Sequence, residues 1–294
     1  MRRVALVGAG GQLAHDLKLC WADLHPDDEL VGLAHGDVEV ESLASVRSAL
    51  TAVAPQLVIN TSAYHRVDEV EDHADRALEV NAVGPRNLSL VCRELDAVLV
   101  HLSTDYVYSG AKGRPYVETD PVDPVSVYGA SKACGEMLVA LTWPRSFIVR
   151  SSGLYGVAGS SGKGGNFVET MLRLAESGRP IRVVDDQVLT PTHTRPLAVQ
   201  IARLVGTDGY GTVHATCQGE CSWYEFAAEI FAQAGLRPEL STQSTAESGA
   251  KARRPSYSVL ENRKLSELGI DQMPNWREAL GDYLEARRVR VTPA

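Results

Sequence analysis

Short apolar runs recur along the first half of this chain, separated by longer stretches of mixed character. RRVALVG, ELVGLAH, QLVINTSA, AVLVHLSTD and SFIVRSSG are apolar at successive positions rather than at alternate ones. Strands buried on both faces need that pattern, so the five segments predict a parallel sheet. Candidate helices at 11–22, 42–53, 72–94 and 128–142 lie between them, each long enough for the right-handed crossover that parallel neighbours require. Beyond Tyr155 the pattern loosens into a Gly/Ser-rich loop, GVAGSSGKGG, then an amphipathic stretch NFVETMLRLAESG and a short strand IRVVDD. RPLAVQIARLV predicts a helix that returns to the sheet. The expected fold is therefore α/β: a doubly wound parallel sheet, Rossmann-like, with a smaller C-terminal substrate-binding lobe. The division expected is 1–155 plus about 191–220 for the dinucleotide-binding domain and about 156–190 plus 221–294 for the lobe.

Composition narrows the class. The 294 residues are 44% hydrophobic, enough for a sizeable core, and no apolar run approaches the roughly 20 residues of a membrane span. Glycines follow MRRVALV too early for a secretory signal, so a cytoplasmic protein with no membrane partner is expected. The net charge of −8 disfavours a nucleic-acid surface and points to a small-molecule partner. Of five cysteines, Cys20, Cys92 and Cys134 fall in helix-like stretches as core thiols, while Cys217 and Cys221 are expected as loop thiols. Their CQGEC spacing supplies half a metal site without a second Cys/His pair, so no metal is expected.

VALVGAGGQLAHDL places Gly8, Gly11 and Ala14 in a GxxGxxA pattern between the first strand and first helix. Gly8 permits the tight turn, Gly11 lets backbone approach a pyrophosphate, and Ala14 allows helix and strand to pack closely. With Gln12 and Leu13 these form the expected cofactor cradle, where helix N-terminal amides favour phosphate. An acid at the end of the second strand would bind the ribose 2′-hydroxyl and repel a 2′-phosphate. Ala34 and His35 stand there instead, so NADPH is expected to serve at least as well as NADH. Glu39 and Val40 are candidates to flank the adenine, with an exposed Glu and a core Val as the plain alternative.

The chemistry is carried by STDYVYSG at 103–110 and VYGASKACGE at 127–136. Tyr128 and Lys132 are four residues apart and share a helix face. Ala130, Ala133, Cys134, Met137, Leu138 and Leu141 recur at helical spacing and are expected to be buried, turning Tyr128 and Lys132 towards a ligand. Hydride delivery to a ketone leaves charge on oxygen, so a proton donor is needed. Tyr128 can donate, and the cation of Lys132 is expected to lower its pKa from about 10. Thr104, at a sheet C-terminal edge, can hydrogen-bond the same oxygen.

These residues resemble the extended short-chain dehydrogenase/reductase superfamily, and the wider chain is similar to its dTDP-4-dehydrorhamnose reductase branch. GAGGQLA, INTSAYHRVDEVEDHADRALEVN, STDYVYSG, VYGASKACGE, NFVETMLRLA, DDQVLTPTHT, CSWYEFAAEIF and RRPSYSVLENRKL carry the likeness across nearly the whole chain. The resemblance implies reduction of the 4-keto group of a nucleotide-linked 6-deoxysugar by NADPH or NADH. It makes Thr104, Tyr128 and Lys132 catalytic, sets Ala63, Tyr64 and His65 along the cofactor, and puts Ser152 and Gly153 near the nicotinamide. Thr104, Asp105, Gly153, Asn166, Gln187, Thr192 and Arg195 become the candidate substrate residues, with Thr190 in the same stretch. Asn166 also reads as a helix N-cap, and Ser222 with Glu225 as a capping box.

Three positions depart from the family's pattern. Gly153 stands where an aromatic is frequent, so a side-chain-sized space is expected beside the sugar. His15 replaces an acid with which some members bind magnesium between subunits, and His65 replaces a frequent Thr. Two other functions fit the same scaffold: a nucleotide-sugar epimerase, and a non-catalytic subunit like the regulatory β-subunit of methionine adenosyltransferase. Dehydration is disfavoured because Thr104 is followed by Asp-Tyr rather than Asp-Glu. A homodimer is compatible with this reading.

Overall fold

The computed structural model describes residues 1–158 and 165–291, so most of the predicted Gly/Ser-rich loop (159–164) lies outside the described residues. The chain runs β1 (Arg3–Val7), α1 (Gln12–Leu24), β2 (Glu29–Leu33), α2 (Leu43–Val53), β3 (Leu57–Asn60), α3 (Val67–Val70), α4 (Ala74–Leu78), a π turn (Glu79–Val83) and α5 (Gly84–Glu94). β4 (Val98–Thr104) ends in a 3₁₀ turn (Asp105–Val107), followed by α6 (Val127–Thr142), β5 (Ser146–Ser151), β6 (Leu154–Tyr155), α7 (Phe167–Glu176), β7 (Ile181–Val184), β8 (Val188–Leu189) and β9 (Thr192–His193). α8 (Thr194–Leu204), β10 (Gly211–His214), β11 (Cys221–Ser222), α9 (Trp223–Ala234), β12 (Leu240–Gln243), α10 (Arg263–Glu267) and α11 (Trp276–Val291) complete it.

β1 to β5 are the five predicted strands. They join β10 in a six-stranded parallel sheet of order β10-β5-β4-β3-β1-β2. β10 is the strand that sequence reading missed, because GTVH is too short and too polar to resemble the other runs. The order reverses at β1, whose neighbours β2 and β3 lead away in opposite directions. Open α/β sheets bind ligands at such a crevice, beyond the carboxyl ends of the strands.

Residues alternate between the sheet's faces. Val4, Leu6, Ile59, Val100, Phe147 and Val213 pack with Leu13, Leu17 and Trp21 of α1 and Leu197 and Ile201 of α8. Ala5, Val7, Val58, Leu99 and Ile148 face the other way, against Val46 and Leu50 of α2, Leu88 and Val91 of α5 and Val139 of α6. The first cluster continues through Phe226, Trp276 and Tyr283, so the C-terminal elements share a core with the sheet. β7–β12, β8–β11 and β6–β9 are small separate pairings beside it.

The helix predicted over 72–94 is present as one continuous helical run of α4, a π turn and α5. A Cβ on Gly84 would crowd Val40, so this region packs tightly against the segment after β2. Cys217 and Cys221 are buried rather than loop-exposed, and Cys221 pairs in register with Leu189. The Ser222–Glu225 capping box is present with both of its hydrogen bonds.

Candidate active site

The glycine turn is built by contact. Gly8 takes a left-handed φ of 81°, and a Cβ there would lie 2.8 Å from both the Ser62 nitrogen and the Thr61 hydroxyl. Only glycine fits, and its N–H and that of Ala9 both reach the Leu33 carbonyl. α1 begins at Gly11 with no side-chain cap and no acid in its first turn, leaving its amides open to an anion. Gly11, Gln12 and Leu13 line a cleft of about 350 Å³, together with Ala63, His65, Thr104, Asp105, Tyr128, Lys132, Gly153, Asn166 and Gln187. Two buried oxygens on this wall, Gln12 Oε1 and Ser103 Oγ, have no hydrogen-bond partner. An uncapped helix start, a glycine-only approach and unpaired polar atoms fit a dinucleotide.

α6 presents Tyr128 and Lys132 by a different packing from the one predicted. Its buried side consists of Gly129, Ser131, Lys132, Ala133, Gly135, Glu136 and Val139. Of the predicted apolar face only Ala133 is buried; Met137 (54% exposed) and Leu141 (85% exposed) stand in solvent with Ala130, and Cys134 and Leu138 are half-buried. The cause is close backbone approach: a Cβ on Gly129 would overlap the Tyr106 carbonyl oxygen, and one on Gly135 the Asn81 carbonyl oxygen. Small residues let the helix sink onto these carbonyls. Ser126 caps it by accepting from the Gly129 N–H, Glu71 accepts from the Val127 N–H, and a buried Glu136–Arg150 pair ties it to β5.

Tyr128 shares the cleft with Thr104, and burial pushes its phenol well above the ordinary value. Lys132 does not offset this. Its Nζ donates to the Leu102 carbonyl at 2.6 Å and lies 3.4 Å from His101 Nε2, and burial lowers its pKa to about 8. The expected lowering of Tyr128 by Lys132 is therefore absent in the cofactor-free protein. Asp105 is buried and saturated: Oδ1 accepts from Thr104, and Oδ2 from Ser152 at 2.8 Å and Ser258 at 2.5 Å. Burial raises its pKa while the three hydroxyls oppose the rise. Although it borders the cleft, Asp105 uses both oxygens on these hydroxyls and orients Thr104.

Several sequence-predicted residues lie elsewhere. Val40 is core and Glu39 is an exposed partner of His35, as the plain alternative had it. Tyr64 is outside the cleft; its backbone is clamped by Asn81 and its hydroxyl donates to Glu69. Ser152 is spent on Asp105. Thr190 and Thr192 are fully buried, bonded to the Gly219 and Thr190 carbonyls. Arg195 lines a separate cavity with His15 and Asp16. Asn166 caps α7 through Oδ1 and donates Nδ2 to the Gly156 carbonyl and Tyr283 hydroxyl, so its capping role consumes the side chain. Gln187 reaches the cleft and donates to Thr245.

Gly153 overturns the expected open space. It adopts φ 54°, and a Cβ would meet Leu189 Cδ1 at 2.8 Å and Pro191 Cα at 3.1 Å. The wall is filled by Leu189 of β8 and by Pro191 just after it. Sequence reading also missed Phe167, Trp223, Pro255 and Ser258 of the cleft, residues from distant segments. RRPSYSVL held the last two, recognisable as a motif but with no chemistry attached. An acid was missed as well: Asp37 Oδ2 accepts from the Ala34 N–H at 2.8 Å, folding a carboxylate onto the end of β2.

Comparison with known proteins agrees with this geometry. Residues 1–289 match the family described as RmlD substrate binding domain. The spore coat polysaccharide biosynthesis protein SpsK of Bacillus subtilis is 41% identical, over 98% of this chain and 98% of its own. A dTDP-4-dehydrorhamnose reductase of Streptomyces griseus is 39% identical over 87% of this chain and 85% of its own. A crystal structure of dTDP-4-dehydrorhamnose reductase from Bacillus anthracis in complex with NADP superposes with a TM-score of 0.91. It is 37% identical and covers 97% of this chain and 99% of that one.

Proposed function

The chain belongs to the RmlD substrate binding domain family, and from that premise we propose that it reduces the 4-keto group of a dTDP-linked 6-deoxysugar. It is an NAD(P)-dependent oxidoreductase acting on a ketone. The observation that carries the reading is the convergence of Thr104, Tyr128 and Lys132 with the Gly11–Leu13 turn in one cleft. Gln12, Leu13, Ala63 and His65 would hold the dinucleotide, and reduced nicotinamide supplies the hydride when bound.

The remaining steps belong to the protein. Thr104 Oγ1, already oriented by Asp105 and by the Tyr106 N–H, steers the ketone oxygen. Tyr128 Oη transfers its proton to that oxygen as the C4–H bond forms, giving the alcohol and a phenolate. Lys132, once cationic, stabilises the phenolate and lowers the barrier to donation. Phe167, Trp223 and Leu189 supply apolar walls that exclude water around the sugar. The residue divisions read from sequence fit this division of labour, with 1–155 and about 191–220 serving the dinucleotide and the rest the sugar.

We assign the protein to the cytoplasm, where both substrates would be found; no helix among the described residues is long and apolar enough to cross a membrane. Net charge −8 supports function without nucleic acid. The exposed side chains Met137 and Leu141 of α6, with exposed Leu78 and Val83 on the adjoining α4 and π turn, support a homodimer closed over α6; sedimentation of wild type against Leu141→Glu tests it.

The activity is tested by nicotinamide absorbance with dTDP-4-keto-6-deoxysugars and each reduced cofactor. One cofactor oxidised per sugar reduced is expected. Turnover without net oxidation would favour an epimerase, and no turnover on any such sugar would overturn the reading.

A further inference from the structure

His101 lies in the middle of β4 with no exposed surface, on the sheet face covered by α6. Its Nδ1 is 3.1 Å from Asn60 Nδ2, and its Nε2 is 3.4 Å from Lys132 Nζ. The orientation of Asn60 is fixed independently, because its Oδ1 accepts from the Ser62 N–H at 3.0 Å and the Ser62 hydroxyl at 2.6 Å. An amide nitrogen cannot accept from a backbone N–H, so Nδ2 must be the atom facing the imidazole. Nδ2 is a donor, which makes Nδ1 an acceptor. A neutral imidazole then carries its proton on Nε2, pointing at Lys132.

Two N–H donors cannot satisfy one another. The Nε2–H is accommodated only when Nζ offers a lone pair, as an amine that accepts from His101 and donates to the Leu102 carbonyl. We propose that His101 is a positioning residue for Lys132: held by Asn60 as the Nε2–H tautomer, it favours the amine before cofactor binds and so sets the pH at which the lysine becomes a cation. Burial keeps His101 far below its usual pKa, so the neutral imidazole is the form present at working pH. Around Lys132, Tyr128 and Glu136 are the neighbouring titratable groups on its own helix; Glu136 favours the cation and is itself paired with Arg150 of β5.

The inference rests on the role given to Lys132 above, but its test does not. In cofactor-free protein, imidazole ¹⁵N spectra at about pH 9.5, where the amine predominates, should show His101 protonated at Nε2 and bare at Nδ1; the opposite tautomer would overturn the proposal. Lysine labelled at Cε should titrate at Lys132 with a midpoint that rises by about one unit in His101→Leu, roughly the loss of one hydrogen bond to the neutral form. An unchanged midpoint in folded variant also overturns it. In the profile of kcat/KM for the cofactor, which reports the free enzyme, the fall at high pH should also move upward. Lys132→Met separates the two readings: undiminished turnover there refutes the catalytic role of the lysine, while the cofactor-free spectra still decide the role of His101.

Discussion

Gly129 of α6 rests against the carbonyl oxygen of Tyr106, so closely that the first carbon of any side chain would overlap it. The contact fixes how far the helix sinks towards the end of β4, and Tyr128 is the adjacent residue. Gly129→Ala must push α6 outward, an overpacking that costs about 1–3 kcal/mol. The expected result is a lower Tm together with a fall in kcat that persists well below the melting transition. A folded variant with wild-type kcat would show that this contact does not position the tyrosine.

Replacing Tyr128 by Phe keeps the ring and its edge contact with Tyr106, whose centroid is 5.6 Å away, while removing the proton. Turnover should fall by at least about 100-fold, the usual scale for a positioned acid. NADPH binding, followed by fluorescence quenching, should be almost unchanged. Near-normal turnover would remove Tyr128 from the mechanism.

Gly153 combines a left-handed φ with a neighbour at 2.8 Å, so both conformation and space oppose a side chain. Gly153→Ala should destabilise by about 1–3 kcal/mol. Gly153→Trp should fail to accumulate as folded protein instead of narrowing the sugar range. Circular dichroism melts decide this; a stable Trp variant with altered sugar selectivity would restore the open wall expected from sequence.

The carboxylate of Asp37, folded onto the Ala34 N–H, puts negative charge where the adenosine ribose is expected. Asp37→Ser should therefore raise the ratio of kcat/KM for NADPH over NADH, with tenfold corresponding to about 1.4 kcal/mol. An unchanged ratio at matched ionic strength would place Asp37 outside the cofactor's reach.

Acid should weaken the fold before it touches the carboxylates. Burial first, and then the charge of a neighbouring arginine, lowers His193 to about 4 and His214 to about 3. An unfolded histidine titrates near 6.5, so as pH falls through that value the unfolded chain takes up protons the folded one refuses. Stability is complete above about 6.5 and declines by up to about 1.4 kcal/mol per pH unit for each histidine. Asp16 and Asp105, raised by burial, act in the opposite sense, so the histidines are followed from about 6.5 to 5, just below their unfolded value, with His193→Phe as the reference. Tm measured across this range should fall, and His193→Phe should flatten the slope; a level Tm would contradict the assignment.

The strands were legible because doubly buried strands announce themselves by continuous apolar runs, and the Tyr128–Lys132 spacing was legible because four residues make a helical neighbour. The orientation of α6 was not. Periodicity assumes that a helix buries its bulky apolar side, and here Gly129 and Gly135 bury the small one by meeting backbone. Asp37 and Ser258 escaped for another reason: a carboxylate curling back three residues and a hydroxyl arriving 153 positions away leave no local pattern.

Asp105 draws its three hydroxyls from points far apart along the chain: Thr104 beside it, Ser152 just after β5, and Ser258 near the C-terminal end. A carboxylate in so dry a place is tolerable only when its partners are assembled; one left short of them costs about 3–5 kcal/mol. During synthesis β1 to β5 and the glycine turn emerge first and can collapse together, yet the group that orients Thr104 still lacks Ser258. The set that orients Thr104 is therefore complete only when the C-terminal segment carrying Ser258 is in place, and a chain ending short of it would lack one of the hydroxyls that hold the ketone-steering group.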